Sequence, residues 1–148
     1  MANTLSPVTL EQAYPPITVG TLTELSDRLY LELAQSGYAL MPEDIQAVMI
    51  EAASMYAAWA TFNIQETQDT AQPLDGSLPL DASEWFIMQP LVRSHCDLLQ
   101  ARRMEGAGSL GGERFGLSVG EAQQIYDLAR EALPKDATVI APYSIELS

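Results

Sequence analysis

Few residues in this chain have the chemistry for catalysis. His95 and Cys96 are the only histidine and cysteine. Neighbouring positions on a helix point about 100° apart, so the two cannot form a nucleophile–base pair within one subunit. A His/Cys metal site would lack ligands. His95 falls on an apolar helical stripe, which predicts a hydrogen-bonded core histidine. Gly106-Ala107-Gly108-Ser109-Leu110-Gly111 has the spelling of a dinucleotide-binding turn. That turn must follow a strand and open a helix, so that helix amides face a pyrophosphate. Here it follows a long helical pattern, and the segment reads as a hinge. Glu43 and Asp44 are accounted for by a helix start, where the dipole favours carboxylates. No other carboxylate pair has a spacing suited to metal or acid–base work. The sequence therefore predicts no catalytic, cofactor-binding or metal-binding residues, and no enzyme.

Arg93, Arg102, Arg103 and Arg114 gather much of the basic charge near one helix end. Two readings stand side by side. Cations are favourable near a helix C-terminus. Alternatively, the four form a basic patch that pairs with an acidic neighbour, since arginine suits interface ion pairs. Residues 1–92 hold 12 carboxylates and one basic group, Arg28, whereas residues 93–148 hold 8 acidic and 6 basic groups. Such a subunit could assemble head to tail, a heterologous arrangement that closes into rings.

These residues must be positioned by helices. Residues 1–20 contain Pro7, Pro15 and Pro16 and read as an extended N-terminal arm. A helical bundle domain follows over 21–134. Thr21-Leu22-Thr23-Glu24 has the form of a capping box. Leu22, Leu25, Leu29 and Leu33 then make one apolar stripe, and Gly37 supplies a left-handed stop, which predicts a helix over 22–36. Pro42 begins a second helix that is expected to run to about Ile64. Its apolar face (Ile45, Val48, Met49, Ala52, Met55, Tyr56, Trp59) and many alanines mark it as the central core helix. Residues 65–80 read as an acidic loop. A third helix starts at Asp81 or Ser83, with Glu84 as capping partner, and runs to Gly106, with Pro90 kinking or restarting it. Residues 106–112 are a glycine-rich joint. Ser118-Val119-Gly120-Glu121 caps a fourth helix carrying Ala122, Ile125, Leu128, Ala129 and Ala132 to Pro134. Residues 135–148 alternate with period two and read as an extended or strand-like C-terminal tail, held to an edge position by Pro142. The fold class is thus mainly α, a small bundle of about four helices with extended ends.

At 148 residues with 47% hydrophobic side chains, the chain is large and apolar enough to fold as one domain without staples. A single cysteine excludes an internal disulfide and favours a reducing compartment. No signal peptide is expected, because the first basic residue is Arg28. The stretch 47–62 carries Glu51 and is shorter than the roughly 20 residues of a spanning helix, so no membrane partner is expected. The net charge of −13 favours solubility and repels nucleic acid, arguing against sequence-specific DNA reading.

The order of elements resembles a known family. Its pieces are the leucine helix, the Met41-Pro42-Glu43-Asp44 start of an alanine-rich helix, and Ser83-Glu84-Trp85 leading to Gln89-Pro90-Leu91. An arginine-rich helix end follows, then a glycine loop and the run from Arg114 to Glu121. Together, over about Thr21 to Tyr143, the chain resembles the head-to-tail connector (adaptor, head-completion) proteins of tailed bacteriophages. That family has no catalytic residues to carry over. The resemblance implies a structural virion protein in the neck of the particle, assembled in the host cytoplasm. It further implies a homo-oligomeric ring of about twelve copies between the portal and the tail or neck proteins, with DNA passing through. The alternative expectation is a soluble acidic helical binding or regulatory module, such as a DNA mimic that occupies a basic groove.

Overall fold

The computed structural model describes residues 17–107 and 116–140. In chain order these form β1 (Thr18–Thr21), α1 (Leu22–Gln35), α2 (Pro42–Ala57), α3 (Asn63–Thr67), β2 (Pro79–Asp81), α4 (Ala82–Gly106) and α5 (Val119–Ile140). The molecule is mainly α, a small helical bundle with one two-stranded antiparallel ribbon. In the ribbon Thr18 faces Asp81 and Thr21 faces Pro79, with a bulge between Thr18 and Gly20. The expected arm lies outside the described residues except for Ile17 to Gly20, which are extended as anticipated and mostly form β1.

Three helix starts carry the reciprocal caps that the sequence spells. Thr21 Oγ1 accepts from the Glu24 N–H at 3.2 Å while Glu24 Oε1 accepts from the Thr21 N–H at 2.9 Å. Asp81 and Glu84 do the same at α4, and Ser118 and Glu121 at α5. At the end of α1, Gly37 has φ of +93°, donates to Ala34 O, and Tyr38 donates to Leu33 O. This pattern satisfies the last carbonyls of the helix.

Residues 65–80 depart from a plain acidic loop. Its first residues are the end of α3, its last are β2, and Leu78 and Leu80 are buried. The Leu22 N–H donates to Leu78 O and the Thr23 N–H to Gly76 O, at 3.0 and 2.9 Å. The loop therefore supplies acceptors for amides that the first turn of α1 leaves without partners. A Cβ on Gly76 would lie 2.7 Å from Gln46 Nε2 and closer still to Thr23 Oγ1. Any larger residue there would have to displace the Thr23 and Gln46 side chains.

Three expectations are corrected. First, α2 ends at Ala57 rather than near Ile64. Phe62, extended and fully buried, stacks on Tyr56 with ring centroids 4.7 Å apart, so the chain leaves the helix to seat that ring. Second, α4 is the central helix. It packs against α2, α5 and both strands, and Leu91, Val92, Ser94, Cys96, Leu98, Gln100 and Ala101 are buried around it. Pro90 neither ends nor restarts α4, which runs through it unbroken with the proline on its exposed side. Third, α5 runs through Pro134 to Ile140, so residues 135–140 are helical and not part of an extended tail. Leu133 and Ala137, four apart and both buried, hold the helix on the core across the proline. Residues 141–148 lie outside the described residues.

Candidate functional site

The arginines that the sequence grouped as a patch are divided by the fold. Arg93 on α4 forks onto Glu32 of α1, at 2.5 and 3.0 Å. Arg103, two to three turns further along α4, forks onto Asp44 of α2, at 2.7 and 2.9 Å. Asp44 also accepts from the Met41 N–H at 2.8 Å, capping its own helix. The hydrogen bond from Arg93 holds Glu32 below the usual carboxylate range, and that from Arg103 does the same for Asp44. Arg102 reaches Gln123 on α5 at 3.1 Å. Arg114 lies outside the described residues. Arg93 and Arg103 thus clamp helices inside the subunit. Neither reading of the sequence anticipated this, because pairs some sixty residues apart leave no local signal.

His95 and Cys96 point to different surroundings, as helix geometry requires. His95 is half-buried, its ring tilted against Tyr126 of α5 with centroids 4.7 Å apart, and its Nδ1 lies 3.9 Å from Glu51 Oε2. That distance is too long for a hydrogen bond. The histidine is therefore held by ring packing and nearby charge, a correction to the hydrogen-bonded core role. Burial lowers its pKa, Glu51 opposes this, and Arg102 and Arg130 reinforce it, so the imidazole stays neutral at pH 7. Cys96 is fully buried, and burial pushes its thiol up to about 12, which removes the thiolate a nucleophile needs. Gly106 closes α4, so the glycine-rich segment follows a helix as expected; Gly108 and Gly111 lie outside the described residues.

The most enclosed polar cluster joins α3, β2 and α4. Glu84, 3% exposed, accepts from the backbone N–H of Asp81 at 2.9 Å and of Asn63 at 2.7 Å. Asp81 accepts from the Asn63 side-chain amide, from Ser83 Oγ at 2.8 Å and from the Glu84 N–H at 2.8 Å. Burial raises the Glu84 carboxyl to about 7, with the two backbone hydrogen bonds opposing and Asp81 and Glu66 adding repulsion. Every acceptor of this cluster is used to fix a chain turn, so its chemistry is architectural. Sequence reading found the cap but not its reach to Asn63. Among the described residues no group of three or more His, Cys, Asp or Glu is placed to hold a metal ion, and no buried side-chain polar atom lacks a partner.

Several large apolar side chains are left exposed among the charged ones. The inner face of α5 is Ala122, Tyr126, Leu133 and Ala137. Ile125 and Leu128, which with Ala122, Ala129 and Ala132 carry the helical pattern of α5 in the sequence, are exposed, Leu128 to 59%, and with exposed Ala132 they form a second stripe on the outer side. Trp59, expected on the core face of the second helix, is 54% exposed. It borders an open groove of about 510 Å³ with Met55, Leu133 and Pro134 and the charged Asp127, Arg130 and Glu131. Phe86 on α4 is 74% exposed. The signal missed in the sequence is that α5 carries two apolar stripes, and periodicity alone does not say which one turns inward.

A small acidic helical domain with an outward apolar stripe and internally satisfied polar groups is what fold and surface define. No protein family matches the sequence, and neither a curated protein nor a solved structure shows significant similarity to it. Among the described residues no helix is long and apolar enough to cross a membrane.

Proposed function

We propose that this chain is an assembly subunit of the head-to-tail connector type, a structural virion protein that forms a homo-oligomeric ring between the portal and tail of a tailed phage and acts through its surfaces rather than by catalysis. The observation that carries the proposal is the outward stripe of α5, Ile125, Leu128 and Ala132, left exposed on a chain of net charge −13. Such a charge would keep separate copies apart in solution, and burying three apolar positions at helical spacing offsets that repulsion only when a partner surface fits. The internal use of Arg93 and Arg103 supports the same view, since it leaves apolar surface as the means of contact. In the ring, an acidic channel would repel phosphates and let DNA slide.

The test is mass measurement and negative-stain microscopy of the purified chain, alone and with candidate portal proteins. Rings, or portal-bound rings, are the expected result. A persistent monomer that ignores portals and competes with DNA for a basic protein, in a manner weakened by salt, would replace this proposal with the acidic binding module.

A further inference from the structure

On opposite flanks, α5 presents a ridge and a groove. Ile125, Leu128 and Ala132 are exposed and, at about 100° per residue, stand within roughly 60° of one another around the helix. The groove of about 510 Å³ lies between α5 and the end of α2. Met55, Trp59, Leu133 and Pro134 give it apolar surface, and Asp127 and Glu131 add negative charge. Arg130 also lines it, with its guanidinium laid over the Tyr126 ring at 5.5 Å. Ligand clefts span about 300–1,000 Å³, so this one has room for several aliphatic side chains. Asp127, Arg130 and Pro134 point roughly 150° away from the ridge. One rigid neighbour cannot cover two features that face so far apart. The charges are complementary between copies and not within one. Lys135, exposed and seven residues past Leu128, prolongs the ridge. Among the described residues it has no ion pair, and neither does Glu131, although a single turn separates the two. Copies of a chain of net charge −13 repel one another, so joining an unpaired lysine to an unpaired carboxylate would set the register of a contact.

We propose that the groove beside Trp59 receives the Ile125, Leu128 and Ala132 ridge of a second copy of this chain, with Lys135 of the ridge against Glu131 of the receiving copy. The inference rests on the assembly reading above and states how the copies meet. Each copy uses its ridge toward one neighbour and its groove toward the other. Such a contact is heterologous, so it continues from copy to copy until it closes as a ring.

The experiment is sedimentation velocity on the full chain and two variants. Ile125→Glu/Leu128→Glu keeps the groove and spoils the ridge. Ala58→Arg keeps the ridge, fills the groove and sets a cation against the incoming Lys135. Ala58 is exposed at the C-terminal end of α2, where a cation is favourable, and thermal melts report whether each variant folds. The native chain is expected to grow beyond a dimer with rising concentration, and each variant alone to stay monomeric. Their equimolar mixture is expected to give a one-to-one complex that grows no further, because one intact ridge and one intact groove remain. Lys135→Glu should weaken association about tenfold, and adding Glu131→Lys should restore most of it. Self-association by either variant alone, or a mixture that stays monomeric while the native chain assembles, would overturn this contact and leave assembly to another surface. A native chain that is monomeric at every concentration would also overturn it, and the assembly reading would then rest on portal binding.

Discussion

At the scale of single residues, Glu84 is where burial and ionisation conflict most. Its carboxyl titrates at 4.5 when free and at about 7 in the fold. Between those values the folded chain keeps a proton that the unfolded chain has released. The contribution to stability is therefore fully present below about 4.5 and lost as pH rises through about 7. The difference between the two values corresponds to roughly 3 kcal/mol. Glu32, Asp44 and Asp75 have lowered values and act in the opposite sense, but below about pH 4.5 and outside this window. Glu84→Gln cannot titrate, but it has one acceptor oxygen where Glu84 accepts from two backbone N–H groups, so its NH₂ group faces one of them. Urea unfolding at a series of pH values should show the native chain the more stable at pH 5, by a margin that shrinks by roughly 3 kcal/mol toward pH 8. An unchanged slope in the variant would place the titrating group elsewhere. The cap itself was legible in the sequence, because Asp81 and Glu84 stand three apart before an apolar run. The second amide held by Glu84, from Asn63, was not, because the turn that brings it there is made by the burial of Phe62.

At the scale of elements, local signals located helix starts better than helix ends. The Thr21, Asp81 and Ser118 caps are written in three or four adjacent residues, and each start falls where they stand. The ends of α2 and α5 depend on distant packing: Phe62 on Tyr56 for one, Leu133 and Ala137 on the core for the other. The sequence predicts a kink or restart at Pro90 and an end at Pro134, whereas both helices run through their proline and packing of the flanking turns outweighs the lost bond. Two substitutions test this. Pro134→Ala returns an N–H that can donate to the Arg130 carbonyl and should raise the melting temperature by about 6–12 °C, as expected for about 3 kcal/mol in a domain of this size. Leu133→Ala should cost about 2–4 kcal/mol in chemical denaturation if the second half of α5 is docked as described. A neutral outcome would mean that this half of the helix is not held. The loop over 65–80 gives a third test. Gly76→Val places atoms on Thr23 and Gln46, and should lower stability by about 1–3 kcal/mol, chiefly by prising the loop from the start of α1. Amide hydrogen exchange would show the loss concentrated at Leu22 and Thr23.

At the scale of the whole molecule, the uneven charge along the sequence turns out to be spent partly within the subunit. The arginines of the second half cross to carboxylates of the first, Arg93 to Glu32 and Arg103 to Asp44, and so bind α4 to α1 and α2. Charge complementarity between copies is reduced accordingly, and the apolar stripe on α5 becomes the main candidate for contact between them. Ile125 and Leu128, 44% and 59% exposed, lie outside the buried core, so replacing both with glutamate should leave the fold intact: the melting temperature should stay within about 2–4 °C of the native value. Helix propensity changes little, and glutamate at either position is solvated in the single subunit. In an assembled ring the same two residues would be carboxylates buried without partners, a cost large enough to prevent association. Mass photometry of Ile125→Glu/Leu128→Glu, with and without a portal protein that recruits the native chain, should find folded monomer only. If the doubly substituted chain assembles as the native one does, α5 is not the contact surface, and the exposed Trp59 groove and Phe86 become the surfaces to substitute next.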